Sequence, residues 1–283
     1  MLTSKRGLFA APLSAGLLFT AAPALASEGA PEGAAEEATP TKVVLTTENI
    51  RAVEPIEETS ANEMGGESGF SVSANVTFAS EYRFRGVDLS GGEFAVQGGF
   101  DLAHSSGFYA GTWASNLDEQ TVGYGSTELD LYGGWSGDLT DGVSADVGVI
   151  GYLYPDAGPG DFDYVEFYGS LTGALGPASL TGGIAYAPDQ DSLGGTDNLY
   201  LYTDVSVGIP DTPVTINGHL GYTDGFLTFT TDSEAIDWSI GADVAAGPLT
   251  FSAAYVGVEG DALIDPAGTF TDDAFVVSVS ASF

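Results

Sequence analysis

The sequence predicts an all-β chain, an antiparallel up-and-down transmembrane β-barrel of about 12 strands with both termini at the periplasmic end. Three features carry that expectation. From Phe70 onward, segments of about ten residues alternate apolar with polar or small positions, the period of a strand whose two faces meet different surroundings. Short turns alternate strictly with long loops, as in a meander whose two ends face different compartments. The N-terminus carries an export signal, and no later stretch reaches the ~20 apolar residues of a transmembrane helix. A membrane-resident mature chain must therefore satisfy its backbone groups by closing a barrel.

In chain order, Lys5 and Arg6 precede an apolar run from Leu8 to Thr20 and an Ala24-Leu25-Ala26 cleavage pattern, which makes residues 1–26 a signal peptide. Residues 27–69 hold Pro31, Pro40 and Pro55, the pairs Glu36-Glu37 and Glu57-Glu58, and few aromatics. They read as an acidic, disordered periplasmic extension. The barrel is assigned to residues 70–283. Its alternation is plain in Leu129-Leu131-Gly133-Trp135 against Glu128-Asp130-Tyr132-Gly134, in Val143-Ala145-Val147-Val149 against Ser144-Asp146-Gly148, and in Ile236-Trp238-Ile240-Ala242-Val244 against Asp237-Ser239-Gly241-Asp243. A soluble sandwich would alternate in the same way with its polar face outward, so periodicity alone leaves that fold open.

Five short turns are expected at Ser105 to Gly107, Thr140 to Gly142, Gly176-Pro177, Pro210 to Pro213 and Gly247-Pro248. Six long loops are expected at Gly86 to Gly92, Asp118 to Gly125, Asp156 to Asp161, Pro188 to Asp197, Asp224 to Ser233 and Gly260 to Asp272. Aromatic belts are expected at both interfaces. Tyr82, Phe84, Tyr152, Tyr154, Tyr186, Tyr200, Tyr202, Tyr222, Phe226 and Tyr255 fall toward the long loops, and Phe100, Phe108, Trp135 and Phe251 toward the short turns.

The chain carries 40 acids against 6 Lys and Arg, a formal charge of −34. Such a surface repels phosphate backbones, so nucleic acid is excluded as a partner. There is no cysteine in the chain, so an exported protein must take its stability from elsewhere, and a closed sheet supplies it.

The segment Ser73-Ala74-Asn75-Val76-Thr77-Phe78-Ala79-Ser80-Glu81-Tyr82-Arg83-Phe84-Arg85-Gly86-Val87, followed by Gly98-Gly99-Phe100-Asp101-Leu102-Ala103-His104-Ser105-Ser106-Gly107-Phe108-Tyr109-Ala110-Gly111-Thr112-Trp113-Ala114-Ser115-Asn116, resembles the opening strands of the TorF family of porins. The resemblance spans roughly Phe70 to Phe283 and implies an outer-membrane diffusion barrel. The ending Phe275, Val277, Val279, Ala281, Phe283 resembles the C-terminal signal read by the barrel assembly machinery, which adds that machinery and outer-membrane lipid as expected partners. The same strand must close on the first, so Phe275 to Phe283 is expected to pair with Phe70 to Phe84.

Strand parity sends Glu81, Asp101, Glu128, Asp130, Asp146, Glu166, Asp204, Asp237 and Asp243 into the lumen, with Arg83 and Arg85 at the outer end of the first strand. An acidic lumen lowers the barrier for cations, so weak cation preference and passive diffusion of small hydrophilic solutes are expected. The alternative is a non-conducting structural or surface-interaction barrel with a filled lumen. Inward Gly99, Gly134, Gly148, Gly183, Gly208, Gly221 and Gly241 favour open space, whereas inward Tyr132, Tyr164, Tyr168, Tyr200 and Tyr202 favour filling. No enzyme is expected: His104 falls at a predicted periplasmic turn and His219 on the face opposite Val214, Ile216 and Leu220, so neither gives the outward-facing base and nucleophile two positions apart that lipid-face catalysis would require. No cofactor or metal is expected either, since the acidic loops at Asp156 to Asp163 and Asp189 to Asp191 lack the EF-hand spacing.

Overall fold

A computed structural model describes residues 69–228, 230–260 and 270–283. The expected signal peptide, the expected acidic extension up to Ser68 and most of the last long loop lie outside the described residues. Alternating faces and turn-rich punctuation give fourteen strands: β1 (Phe70–Ala79), β2 (Arg83–Phe84), β3 (Val87–Asp88), β4 (Ala95–His104), β5 (Phe108–Asn116), β6 (Thr127–Thr140), β7 (Val143–Leu153), β8 (Tyr164–Leu175), β9 (Ala178–Gln190), β10 (Thr196–Gly208), β11 (Val214–Gly225), β12 (Glu234–Ala246), β13 (Leu249–Glu259) and β14 (Ala274–Ser282). Twelve of them, β1 and β4 to β14, close into one antiparallel barrel, while β2 and β3 form a separate two-stranded hairpin. The seam is the predicted one: β1 pairs with β14, with Asn75 opposite Ser282 and Ala79 opposite Ser278.

The two faces of each strand separate by chemistry, but inverted relative to a soluble protein. On β12, Ile240 is 60% exposed while its neighbour Ser239 is 4% exposed. Phe70, Val72, Phe100, Leu102, Phe108, Leu131, Phe167, Leu220, Phe251 and Phe275 also face outward and exposed. A soluble monomer does not tolerate an apolar surface that large, and a sandwich would have turned these side chains inward. A closed barrel wearing its apolar face outside is what a hydrocarbon solvent demands.

The five expected short turns are all present, and each contains one residue at positive φ, from 61° at Asp211 to 92° at Gly107. Asp211 stands out because it is not glycine; aspartate tolerates the left-handed region better than most side chains. Three expectations need correction. First, β1 stops at Ala79, so the first loop begins at Ser80 rather than Gly86, and Arg83 and Arg85 lie on a hairpin within it. Second, the loop expected over Pro188 to Asp197 is half strand: β9 runs to Gln190, β10 resumes at Thr196, and a 3-10 turn at Asp191–Leu193 with Gly194 and Gly195 at positive φ joins them. Third, the aromatic belt toward the long loops is thinner than expected. Tyr186 and Tyr255 face outward there, but Tyr82, Phe84, Tyr152, Tyr154, Tyr200 and Tyr202 are buried inside. The belt toward the short turns holds, with Phe100, Phe108 and Phe251 exposed.

Candidate functional site

The barrel interior is the candidate site, and it is built by strand parity. Of the predicted lumen residues, Asp101, Glu128, Asp130, Asp146, Glu166, Asp204, Asp237 and Asp243 are all buried on inward faces, together with Arg83 and Arg85; Glu81 is half-buried at the first loop. They form no single ring. Most of these carboxylates are instead held locally by hydroxyls, amides or cations of neighbouring strands or of the first loop, the partners a buried charge requires.

On the wall of β4 to β8, the Tyr109 hydroxyl donates to Asp146 at 2.6 Å and lies 2.5 Å from the Tyr168 hydroxyl, while the Tyr132 hydroxyl donates to Asp101 at 2.5 Å. Toward the long loops, the Tyr82 hydroxyl donates to Glu128 at 2.8 Å, and fully buried Asp130 follows two positions along on the same face. On β10 to β12, His219 sits between two acids, its Nδ1 2.6 Å from Asp204 and its Nε2 2.9 Å from Asp237. The Tyr200 hydroxyl joins that cluster at 2.8 Å from His219 Nε2, and Asn217 donates to Asp243 at 2.8 Å. With both ring nitrogens of His219 engaged by carboxylates, no nitrogen is left to deprotonate a nucleophile. The other histidine, His104, lies at the end of β4 and meets the Ser106 hydroxyl at 2.7 Å and the Phe70 ring at 4.6 Å, the contacts of a turn residue.

The tension between inward glycines and inward tyrosines resolves into one packing device. Gly111 lies opposite Tyr132, Gly134 opposite Tyr109, Gly148 opposite Tyr168 and Gly183 opposite Tyr202 in the register. A Cβ at any of these glycines would run into the tyrosine ring across from it. The rings therefore lie down along the wall over the bare backbone, instead of projecting across the lumen. These four inward glycines are seats for the aromatics rather than free space, whereas Gly99 and Gly208 meet only backbone.

The remaining interior at the long-loop end is taken by the first loop, Ser80 to Phe94. Its hairpin folds inward: Phe84 is 0% exposed and Leu89 1%. Arg85 and Gly86, with φ of 44° and 81°, give the tight turn between β2 and β3 the signature of a type I′ hairpin. Asp88 ties off the base of the loop by accepting from the Ser90 N–H at 2.8 Å and hydroxyl at 3.0 Å and from the Gly92 N–H at 2.5 Å. Arg83 pairs with Glu81 at 2.6 Å and donates to the Gly86 carbonyl at 3.2 Å and the Asp272 carbonyl at 2.8 Å. Arg85 reaches across to Glu166 on β8, donating from Nη2 to both carboxylate oxygens at 2.9 Å. The two arginines, expected on one face, thus serve different partners, because Arg83 lies on β2 while Arg85 occupies the left-handed turn position that follows it.

Sequence reasoning missed Asp88 and the inward placing of Tyr82, Phe84 and Tyr152. Outside the strands, Asp156 binds the Ser126 hydroxyl at 2.5 Å, the Ser126 N–H at 3.0 Å and the Thr127 N–H at 3.1 Å, tying one long loop to its neighbour. Those bonds, the Ser126 hydroxyl foremost, hold its carboxyl below the ordinary value of 3.8.

The fold and lumen together define a twelve-stranded, porin-like barrel. Solved structures agree on the fold: the NanC porin matches with a TM-score of 0.52 at 10% identity, over 75% of this chain and 99% of that one. The KdgM porin matches with a TM-score of 0.51 at 11% identity over the same shares. At those identities the likeness is one of fold alone. No curated protein matches the chain in sequence. The chain belongs to the family described as bacterial protein of unknown function (Gcw_chp), whose model matches residues 63–283.

Proposed function

We propose that this chain is an outer-membrane channel for the passive diffusion of small hydrophilic solutes, with weak cation preference and both termini periplasmic. The observation that carries the reading is a closed barrel, apolar outside, whose inward face holds eight carboxylates, with Glu81 a ninth on the first loop, against the guanidinium groups of Arg83 and Arg85. Two arginines cannot balance nine acids, so the interior repels anions and attracts cations. The TorF-like opening strands and the porin-like fold support the same reading, as does the aromatic C-terminal strand expected to engage the barrel assembly machinery. The charge points away from one solute class seen with this fold: the KdgM porin has been solved in complex with an oligogalacturonate, a polyanion that this lumen would reject.

One observation favours a second reading, a barrel that does not conduct. At the long-loop end Phe84, Tyr152, Tyr164, Leu193 and Leu227 are all at most 2% exposed, so side chains fill that half. Reconstitution in a planar bilayer across a potassium chloride gradient separates the two. Openings with a cation-directed reversal potential are expected; an anion-directed potential would overturn the acidic-lumen argument. A folded barrel that stays silent, even after its first loop is removed, would establish the second reading.

A further inference from the structure

On the wall facing the first loop, the carboxylate of Glu166 is paired with a side chain of that loop, Arg85. Glu166 is fully buried on β8, and the Arg85 guanidinium that pairs with it also lies over the Tyr200 ring. Tyr152 and Tyr164 stack with ring centroids 4.5 Å apart, and the Tyr152 hydroxyl lies 3.4 Å from a Glu166 oxygen. A buried carboxylate with aromatic rings beside it attracts a flat or compact organic cation, through charge and through the electron-rich ring faces. The guanidinium carbon of Arg85 lies 4.0 Å from the Tyr200 ring centroid and 4.8 Å from that of Phe84.

Two features show that Arg85 fits this place incompletely. Its backbone is held in the left-handed region at φ 44°, strained for a residue with a side chain. Only Nη2 reaches Glu166, so the parallel two-nitrogen fork that arginine and carboxylate ordinarily make is absent. Buried Nε and Nη1 have no hydrogen-bond partner among the described residues. A free cation, without the tether, could turn to use the donors that Arg85 wastes.

We propose that Glu166, Tyr152, Tyr164 and Tyr200 form a binding site for small organic cations with a guanidinium or alkylammonium head, and that Arg85 fills it as a tethered surrogate while the first loop is folded in. This deepens the cation-channel reading and rests on it. A solute of that class competes with Arg85 for Glu166, and its arrival weakens the hold of the hairpin on the far wall.

The test compares wild type, Arg85→Ala and the double variant Arg85→Ala with Glu166→Gln, using low-millimolar guanidinium chloride as the probe and sodium chloride as the ionic control. In Arg85→Ala, guanidinium is expected to raise the thermal unfolding midpoint in detergent and to block sodium current saturably. The double variant should lose at least about tenfold in apparent affinity, the loss of a buried charge-assisted contact. Guanidinium acting no differently from sodium on Arg85→Ala, or equally on both variants, would overturn the site. Failure of the channel reading looks different: no current from any variant, with the Glu166-dependent thermal shift intact. If Arg85→Ala does not fold, Arg85→Gln removes the charge while keeping most of the bulk, and the same comparison applies.

Discussion

The two halves of the barrel interior are built from different residues. Toward the long loops the inside is a packed core, with Phe84, Tyr152, Tyr164, Leu193 and Leu227 at most 2% exposed around Glu128 and Glu166. Toward the short turns it is lined by small polar groups such as Ser71, Ser73, Ser144, Thr172, Ser252 and Ser282, all partly exposed, with Tyr109, Tyr132 and Tyr168 laid against one wall. One strand scaffold thus carries a filled half and a hydrophilic half. The difference teaches that strand number alone does not set the bore; what folds into the lumen does.

Substitutions that treat the halves as equivalent should fail in graded ways, read as urea unfolding of the reconstituted barrel. Tyr152→Ala empties a fully buried site and severs its contact with Glu166, so a loss of about 3–5 kcal/mol is expected, in the range for large aromatic truncations. Ser252→Ala in the hydrophilic half should cost far less, and equal losses would erase the distinction. Next in size, Ile240→Arg at the middle of β12 places a charge on the outward face and should cost about 2–4 kcal/mol if that face meets lipid. An unchanged stability would mean that the face is not embedded.

A neighbouring pair isolates the glycine seats. Gly183→Val drives a side chain into the Tyr202 ring and should cost about 1–3 kcal/mol through overpacking. Gly182→Val, where an added Cβ meets nothing, should be near neutral in the same measurement. The smallest effect lies outside the barrel wall. Asp156 has a depressed folded-state value, so its stabilisation is fully present above the ordinary carboxylate value of 3.8 and is lost as pH falls through the lower folded value. Amide exchange at Ser126 and Thr127 should therefore accelerate in acid relative to Asp156→Asn, and parallel profiles would remove the tether.

Much of this architecture is legible in the amino-acid sequence. Closure of β14 on β1 and the inward acids follow from period-two patterning, because a one-residue error would flip a whole strand. Tyr200 and Tyr202 share parity with Asp204, which places them inside despite their suitability for an interface belt. The inward hairpin is harder to read. Glu81 to Arg85 continues the alternation of β1 without a break, and the one turn signal, Arg85-Gly86, puts an arginine where glycine or asparagine is usual. Nor can composition reveal that Gly111, Gly134, Gly148 and Gly183 seat tyrosines of the adjacent strand, since that depends on register.

The central claim, that the first loop closes an otherwise passable acidic barrel, is tested most directly by single-channel conductance of wild type beside a variant in which Tyr82 to Ser90 is replaced by a short Gly-Ser turn. The account predicts small or rare wild-type openings and a several-fold larger, steady, cation-selective conductance once the hairpin is gone. Equal conductance in the two proteins would contradict it.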